Sequence, residues 1–231
     1  MRVKRMRHAK VSFARKLELI VTGAVLLLSP LIASSAPASA FSGGSGTSLD
    51  PYEITTCSEL LDIASNLSAS YVLANSITCL LTPFTPIGDN STPFTGTFDG
   101  QGNTISDVTV SLASNYVGIF GDTSDATISN LYLQDITVSG QGYVGGLVGY
   151  VGGGSVTNVF ATSVTVSGSG DSVGGLVGGL GGASMSKSSV EDVSVTGDGQ
   201  YVGGLVGWVV GPSTLGEAYA QGTVTGDNQV G

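Results

Sequence analysis

Alternation of apolar residues with small polar residues dominates the second half of the chain and predicts short β-strands. In the run 135–139 (Asp-Ile-Thr-Val-Ser), Ile136 and Val138 would point to one side of a strand and the hydroxyls to the other. Similar five-residue runs occur at 107–111, 163–167, 192–196 and 221–225. Their central residues step by 28, 28, 29 and 29 positions: Thr109, Thr137, Thr165, Ser194 and Thr223. A fixed period of this kind indicates a repeat architecture.

A glycine-rich hexapeptide, Val-Gly-Gly-Leu-Val-Gly, forms the second repeated element. It occurs at 144–149, 173–178 and 202–207, in steps of 29 residues, and a degenerate copy occupies 117–121. We expect its glycines to supply tight corners and positive φ angles. The repeats contain strand and turn residues rather than helix formers, and they are too short for propeller blades. The predicted fold class is therefore all-β, a right-handed parallel β-helix or β-solenoid with about 28–29 residues per coil.

Residues 41–96 differ from the repeats and predict a Gly/Ser lead-in followed by a short α/β N-terminal cap. Thr56 and Glu59 have the spacing of a capping box at the start of a helix. Strands are predicted on either side, at 52–55 and 71–79. A cap would cover the first edge of the solenoid, which the repeats themselves (97–231) would leave open.

The basic residues are concentrated at the N-terminus, which predicts an exported protein. Seven of the eight Lys and Arg residues lie within 1–16, an apolar run follows, and Ala38-Ser-Ala40 is a suitable cleavage site. Residues 1–40 therefore resemble a secretory signal peptide; an uncleaved membrane anchor is the alternative. After residue 40 no apolar run approaches the roughly 18 residues of a membrane span.

Removal of residues 1–40 leaves a strongly acidic chain. It would keep one cation, Lys187, against 16 carboxylates, a formal charge of −15. Such a polyanion repels phosphate backbones, so nucleic acid is excluded as a partner. The only histidine, His8, would leave with the signal, and no arginine would remain. These losses remove the residues needed for a Ser-His-Asp triad or an H-E-x-x-H zinc site.

The two cysteines, Cys57 and Cys79, predict one disulfide. An exported chain meets an oxidising environment, and a loop of about 20 residues would gain roughly 3 kcal/mol from closure. The alternative is a pair of free buried thiols.

The repeats resemble the GLUG motif, whose Gly-Leu-x-Gly core stands here at 146–149, 175–178 and 204–207. The preceding run 98–105 (Phe-Asp-Gly-Gln-Gly-Asn-Thr-Ile) resembles the segment that leads into such repeats. The resemblance spans about residues 45–231. It implies a bacterial surface protein, as in filamentous-haemagglutinin-like adhesins and the stalks of immunoglobulin-A-cleaving peptidases. Because 229–231 matches the start of another hexapeptide, we expect the sequence to be a fragment that stops in mid-repeat.

Two sets of side chains are candidates for contact with a ligand. Aromatic residues flank the hexapeptides, and a row of exposed rings could stack on sugars: Tyr116, Tyr143, Tyr201 and Trp208. Alternatively, the rings cover glycine-rich backbone. The second set is a rank of threonines that could bind ice if stacked coils make it flat: Thr109, Thr137, Thr165 and Thr223. Alternatively, these hydroxyls are ordinary solvent-facing strand residues.

Acidic residues suggest two further hypotheses. Calcium could bind at Gly-Asp turns, but Asp171, Asp198 and Asp227 lie at different distances from their hexapeptides, which favours simple turn formation. No cofactor is otherwise predicted. Pairs such as Asp122/Asp125 or Glu191/Asp192 could serve an enzymatic β-helix, yet one lysine and no arginine argue against catalysis.

We therefore predict a non-catalytic, secreted or cell-surface repeat protein of a bacterium, a stalk or adhesin-like module. Its partners would be host or cell-surface glycans or proteins, and surface attachment would require a missing C-terminus. The alternatives are a glycan- or ice-binding solenoid, and the N-terminal stalk of a larger secreted peptidase or carbohydrate-active enzyme.

Overall fold

Parallel strands build most of the structure. A computed structural model describes residues 41–231, and the predicted signal peptide (1–40) lies outside the described residues. One helix, α1 (Cys57–Asp62), continues into a 3-10 turn at Ile63–Ser65. The strands are β1 (Tyr52–Ile54), β2 (Ser70–Leu73), β3 (Ile77–Thr78), β4 (Thr97–Ser106), β5 (Thr109–Ser111), β6 (Phe120–Ser124), β7 (Thr127–Gly140), β8 (Val144–Gly145), β9 (Val148–Gly152), β10 (Ser155–Gly168), β11 (Val173–Gly174), β12 (Val177–Gly181), β13 (Ser184–Gly197), β14 (Val202–Gly203), β15 (Val206–Val210) and β16 (Thr214–Gly226).

Each strand pairs in parallel with its counterpart one coil away. The largest sheet has the order β1-β2-β4-β7-β10-β13-β16, with β3 and β5 joined to its side. Two smaller sheets, β6-β9-β12-β15 and β8-β11-β14, complete the coil. The result is an all-β parallel solenoid of about five turns, which confirms the predicted fold class. Its right-handed winding stays a prediction.

The repeat period sets the register of the strands. Thr137 pairs with Thr109 on one side and with Thr165 on the other, so equivalent residues of the predicted strand lie directly above one another. The inward valines consequently stack into one column that is almost fully buried: Val110, Val138, Val166 and Val195. Burial of such columns along the whole stack supplies the hydrophobic free energy that no single coil could provide.

The glycines of the hexapeptide work through close packing. The prediction that they adopt positive φ is wrong, because the described glycines with positive φ lie elsewhere, for example at Gly153 and Gly182. A Cβ added at Gly178 would stand 2.5 Å from the carbonyl oxygen of Gly149 and 2.5 Å from the amide nitrogen of Val144. Backbone of the neighbouring coil therefore fills the space where a side chain would be, and only glycine fits.

Residues with side chains turn the coil at its corners. Asn130 and Asn158 have φ of 54° and 58°, and Asp135 and Asp192 have φ of 54° and 51°. Asn and Asp tolerate this left-handed region better than most residues. The asparagine corners are also linked between coils, since Asn158 Nδ2 donates to Asn130 Oδ1 at 2.8 Å. Each long strand is therefore bent into straight segments that present separate faces.

The N-terminal cap continues the main sheet and is held by two predicted features. In the capping box, Thr56 Oγ1 accepts from Glu59 N at 3.2 Å and Glu59 Oε2 accepts from Thr56 N at 3.0 Å. The disulfide between Cys57 and Cys79 is confirmed and ties α1 to the residue after β3, with Cα atoms 5.3 Å apart.

One strand prediction in the cap needs correction. The run 71–79 forms two strands, β2 and β3, because the chain turns between them at 74–76. The turn is held by Asn75, whose Nδ2 donates to the carbonyls of Thr55 at 3.2 Å and Ser76 at 2.8 Å.

Candidate functional site

The predicted aromatic residues form a connected column along one corner of the solenoid. The rings of Tyr116 and Tyr143 stack with centroids 5.0 Å apart and planes inclined by 8°. Trp208 lies 6.2 Å from Tyr143 and 6.0 Å from Tyr201, so it joins the two tyrosines across the coil that carries Ser172. Tyr150 completes the group with a T-shaped contact of 5.3 Å to Tyr143. We call these five residues the aromatic column.

The backbone fixes the positions of the tyrosines that precede each hexapeptide. Tyr116, Tyr143 and Tyr201 have φ of 61°, 52° and 62°, so each is a left-handed corner residue. Ser172 occupies the equivalent place with φ of 68°, and its side chain is buried. Parallel bridges between Val117 and Val144, and pairing of Val144 with Val173, keep these corners in register.

Part of each ring surface covers glycine backbone, as the alternative prediction proposed. A Cβ at Gly179 would stand 2.7 Å from Tyr150 Cδ2 and 2.9 Å from Tyr143 Cδ1. Tyr150 Oη occupies the space beside Gly181 in the same way. All five rings are nevertheless half-buried, so each also shows surface to solvent. The column therefore protects backbone and presents aromatic surface together.

A buried carboxylate lies at the N-terminal end of the column. Asp122 is 7% exposed and pairs in register with Tyr150. Burial raises the pKa of Asp122 to about 6, and the Asp89 carboxylate acts in the same direction. Burial also raises the pKa of Tyr116 and of Tyr150, with further contributions from Tyr143 and then from the Asp122 carboxylate. The sequence indicated Asp122 only as one member of an acidic pair.

Comparison with known families agrees with this geometry. The model of the GLUG motif matches residues 140–167 and 169–198, which cover two successive coils. The chain carries GLUG repeats. The matched segments include β7 residue Gly140, strands β8 to β10, and strands β11 to β13 up to the turn after Gly197.

Two known proteins resemble the chain that carries these GLUG repeats. A protein of Evansella cellulosilytica named as a Gly-rich membrane protein is 35% identical over 95 residues, which are 37% of this chain and 11% of that protein. A crystal structure from Bacteroides ovatus, named as an immunoglobulin A1 protease, superimposes with a TM-score of 0.68 at 23% identity. That match covers 83% of this chain and 65% of the other, and it shows a shared fold.

The threonine ranks of the GLUG repeats face solvent in register. Thr109, Thr137, Thr165 and Thr223 are exposed, and Ser194 fills the remaining layer. The parallel rank beside it contains a direct hydroxyl contact, Ser139 Oγ to Ser111 Oγ at 2.9 Å. The predicted alignment of the hydroxyls is therefore present, whereas ice binding stays a prediction.

The acidic candidates mostly serve turns. Asp171 Oδ1 accepts from the Gln200 amide at 2.7 Å and so links two neighbouring turns. Asp125 and Asp192 are corner residues with φ of 52° and 51°. Within residues 41–231 no three His, Cys, Asp or Glu side chains are grouped as metal ligands. The calcium and catalytic hypotheses stay predictions.

One further rank of aromatic residues was missed from the sequence. Tyr132, Phe160 and Tyr219 lie outward on adjoining coils, with Ser189 between the last two. Their spacings of 28, 29 and 30 residues follow the repeat period, so a search by period rather than by motif would have found them. None of the described helices is long and apolar enough to cross a membrane.

Proposed function

We propose that this chain is a secreted, non-catalytic surface module, a stiff rod that holds other parts of a bacterial surface protein away from the cell and makes contacts with its sides. The observation that carries the proposal is the in-register stack of seven strands in the main sheet. Every coil is fixed to the next by backbone hydrogen bonds and by stacked valines, so the stack resists bending and leaves its outer faces free.

Three further observations support a surface role. The GLUG repeats and the fold shared with a protein named as an immunoglobulin A1 protease are consistent with a stalk. The relative of Evansella cellulosilytica is itself named as a membrane protein. The formal charge of −15 over residues 41–231 favours solubility of a long rod and disfavours self-association. As a spacer, the same rod would suit either an adhesive domain or a secreted peptidase or carbohydrate-active enzyme.

Export of the full chain from a bacterial host tests this proposal. We expect a protein that begins at Phe41, is found outside the cytoplasm and is removed from intact cells or their medium by added protease. The matched control is Ala38→Arg/Ala40→Arg, which blocks cleavage without altering residues 41–231. A product that keeps Met1 and remains with the membrane supports the anchor alternative, and a cytoplasmic product would refute the surface role.

Glycan contact through the aromatic column is a second candidate function, favoured by the stacked rings of Tyr116 and Tyr143. Partly exposed aromatic faces suit the apolar faces of sugar rings. Because Tyr143 also covers glycine backbone, the informative variant is Trp208→Ala, which removes the largest ring. We expect weaker glycan-array signals with unchanged circular dichroism; unchanged signals would refute this function.

A further inference from the structure

A second aromatic surface lies on a different segment of the coil from the aromatic column. It is formed by the straight segment between the corner residues Asn130 and Asp135 and by its equivalents in neighbouring coils. Tyr132 and Phe160 pair in register, with ring centroids 5.5 Å apart and planes inclined by 30°. Tyr219 carries the next ring of this rank and is 53% exposed, while Tyr132 is 47% exposed.

The rank is interrupted by Ser189, and the interruption creates a cleft. Phe160 pairs with Ser189, and Ser189 pairs with Tyr219, so the two rings stand two layers apart, about 10 Å. The small serine between them is only 5% exposed, because the flanking rings rise above it. The depression has a volume of about 360 Å³. This volume lies within the range of small-molecule sites, roughly 300–1,000 Å³.

Polar groups line one side of the cleft. The outward rank next to the rings contains Gln134, Thr162 and Glu191, which pair in register. Tyr219 Oη donates to Glu191 Oε1 at 2.7 Å, which fixes the carboxylate beside the ring. An amide, a hydroxyl and a carboxylate thus follow one another along the edge and can both accept and donate hydrogen bonds. Aromatic walls with a polar edge match the chemistry of a sugar ring, which has apolar C–H faces and a rim of hydroxyls.

We propose that this cleft binds a neutral pyranose unit of a glycan, which sits over Ser189 between Phe160 and Tyr219 and donates hydroxyl hydrogen bonds to Glu191. The assignment rests on the proposed surface function and adds a ligand class to it. Charge selects the neutral class: Glu191 lies at the site, and residues 41–231 carry one lysine against 16 carboxylates. A uronate or another acidic sugar would place its carboxylate next to Glu191 without a cation to offset the repulsion.

Saturation-transfer NMR with the full chain tests the cleft. The probes are the methyl glycosides of glucose, galactose, mannose and N-acetylglucosamine, with methyl glucuronide as the acidic comparison. The blocking variant is Ser189→Tyr, which fills the notch and continues the aromatic rank. Its matched control is Ser189→Ala, which keeps the notch open. Thr137→Ala provides a second control on another segment, and circular dichroism verifies the fold of each variant.

We expect transfer to at least one neutral glycoside and little to the glucuronide. Ser189→Tyr should abolish the signal, Ser189→Ala and Thr137→Ala should retain it, and Glu191→Gln should weaken binding roughly tenfold through loss of a charged acceptor. Absence of transfer to all four neutral glycosides, or a signal that Ser189→Tyr leaves intact, would overturn the proposal. Equal binding of the glucuronide would overturn the charge argument. Any of these results leaves the export experiment unaffected, so the surface role is judged separately.

Discussion

The ring of Tyr143 lies flat on the ring of Tyr116 in the preceding coil, with centroids 5.0 Å apart and planes inclined by only 8°. Both residues are left-handed corners that precede a hexapeptide. The stack therefore follows from the repeat itself: equal spacing places equal corners above one another, and wherever two successive corners are tyrosines their rings meet.

Tyr143→Ala should destabilise the solenoid more than Tyr201→Ala. Tyr143 contacts Tyr116, Tyr150 and Trp208, whereas the ring contact described for Tyr201 is with Trp208. Each aromatic pair contributes about 0.5–1.5 kcal/mol beyond its buried area. We expect Tyr143→Ala to lower the free energy of unfolding by about 2–4 kcal/mol. Urea denaturation checks this, and equal losses for the two variants would show that the ring contacts contribute little.

Gly178→Ala should be strongly destabilising. The new methyl group would stand 2.5 Å from backbone atoms of the neighbouring coil, which cannot move without breaking the strand pairing. We expect a loss of at least about 2 kcal/mol in the free energy of unfolding. Gly216→Ala is the matched control, because its Cβ would meet no atom within 4 Å and its φ is not positive. There we expect no loss, or a gain of about 0.5 kcal/mol. A tolerated Gly178→Ala would contradict the close-packing role.

These glycines also show what the sequence could and could not predict. Period and alternation were sufficient for the parallel stack, because a strand repeated every 28 or 29 residues must pair with its own copies. The role of each glycine was not predictable, since Gly suits both a left-handed corner and a crowded crossing. The choice depends on the path of the neighbouring coil. Tyrosine, which rarely adopts positive φ, took the corner instead.

The candidate site was predictable only in part, for a related reason. The aromatic column was visible because its residues flank a conspicuous motif. Contact between Tyr143 and Trp208 depends on how the hexapeptide folds back, and the cleft at Ser189 depends on the absence of a ring from an aromatic rank. A missing side chain becomes a feature only when the register that surrounds it is known.

Loss of the disulfide should loosen the cap and leave the repeats intact. Cys57 and Cys79 are separated by 22 residues, and closure of such a loop contributes roughly 3 kcal/mol. Because each coil contacts only its neighbours, we expect Cys57→Ala/Cys79→Ala to speed amide exchange in β2 and β3 and to leave β12 protected. Uniform acceleration throughout the chain would show instead that the whole solenoid unfolds as one unit.

Asp122 should make the protein more stable in mild acid than Asp122→Asn would lead one to expect. Its pKa rises from 3.8 to about 6 on folding, so the folded chain holds a proton that the unfolded chain releases. The favourable contribution is complete below pH 3.8 and is lost as pH rises through 6. We expect the Tm of the wild type, relative to Asp122→Asn, to fall between pH 4 and 6. Asp227→Asn at an exposed turn should leave this trend intact. A pH-independent Tm difference would contradict the assigned pKa.

The threonine ranks should show little or no ice-binding activity. Serine replaces threonine in one layer, at Ser194, and in three layers of the neighbouring rank, so the surface lacks a uniform array of methyl and hydroxyl groups. We expect purified protein to give no measurable thermal hysteresis. Hysteresis that Thr137→Leu/Thr165→Leu abolishes would instead establish the ice-binding alternative.

The most direct test of the account is the distance between Thr109 and Thr223, which four successive in-register pairings relate. Spin labels at Thr109→Cys and Thr223→Cys report this separation by pulsed dipolar spectroscopy, while the paired cysteines of the cap do not react. Four layers of parallel strands predict one narrow distribution, with Cα atoms about 19 Å apart. A broad distribution, or one centred well beyond that distance, would contradict the stack on which the rod, the aromatic column and the cleft all depend.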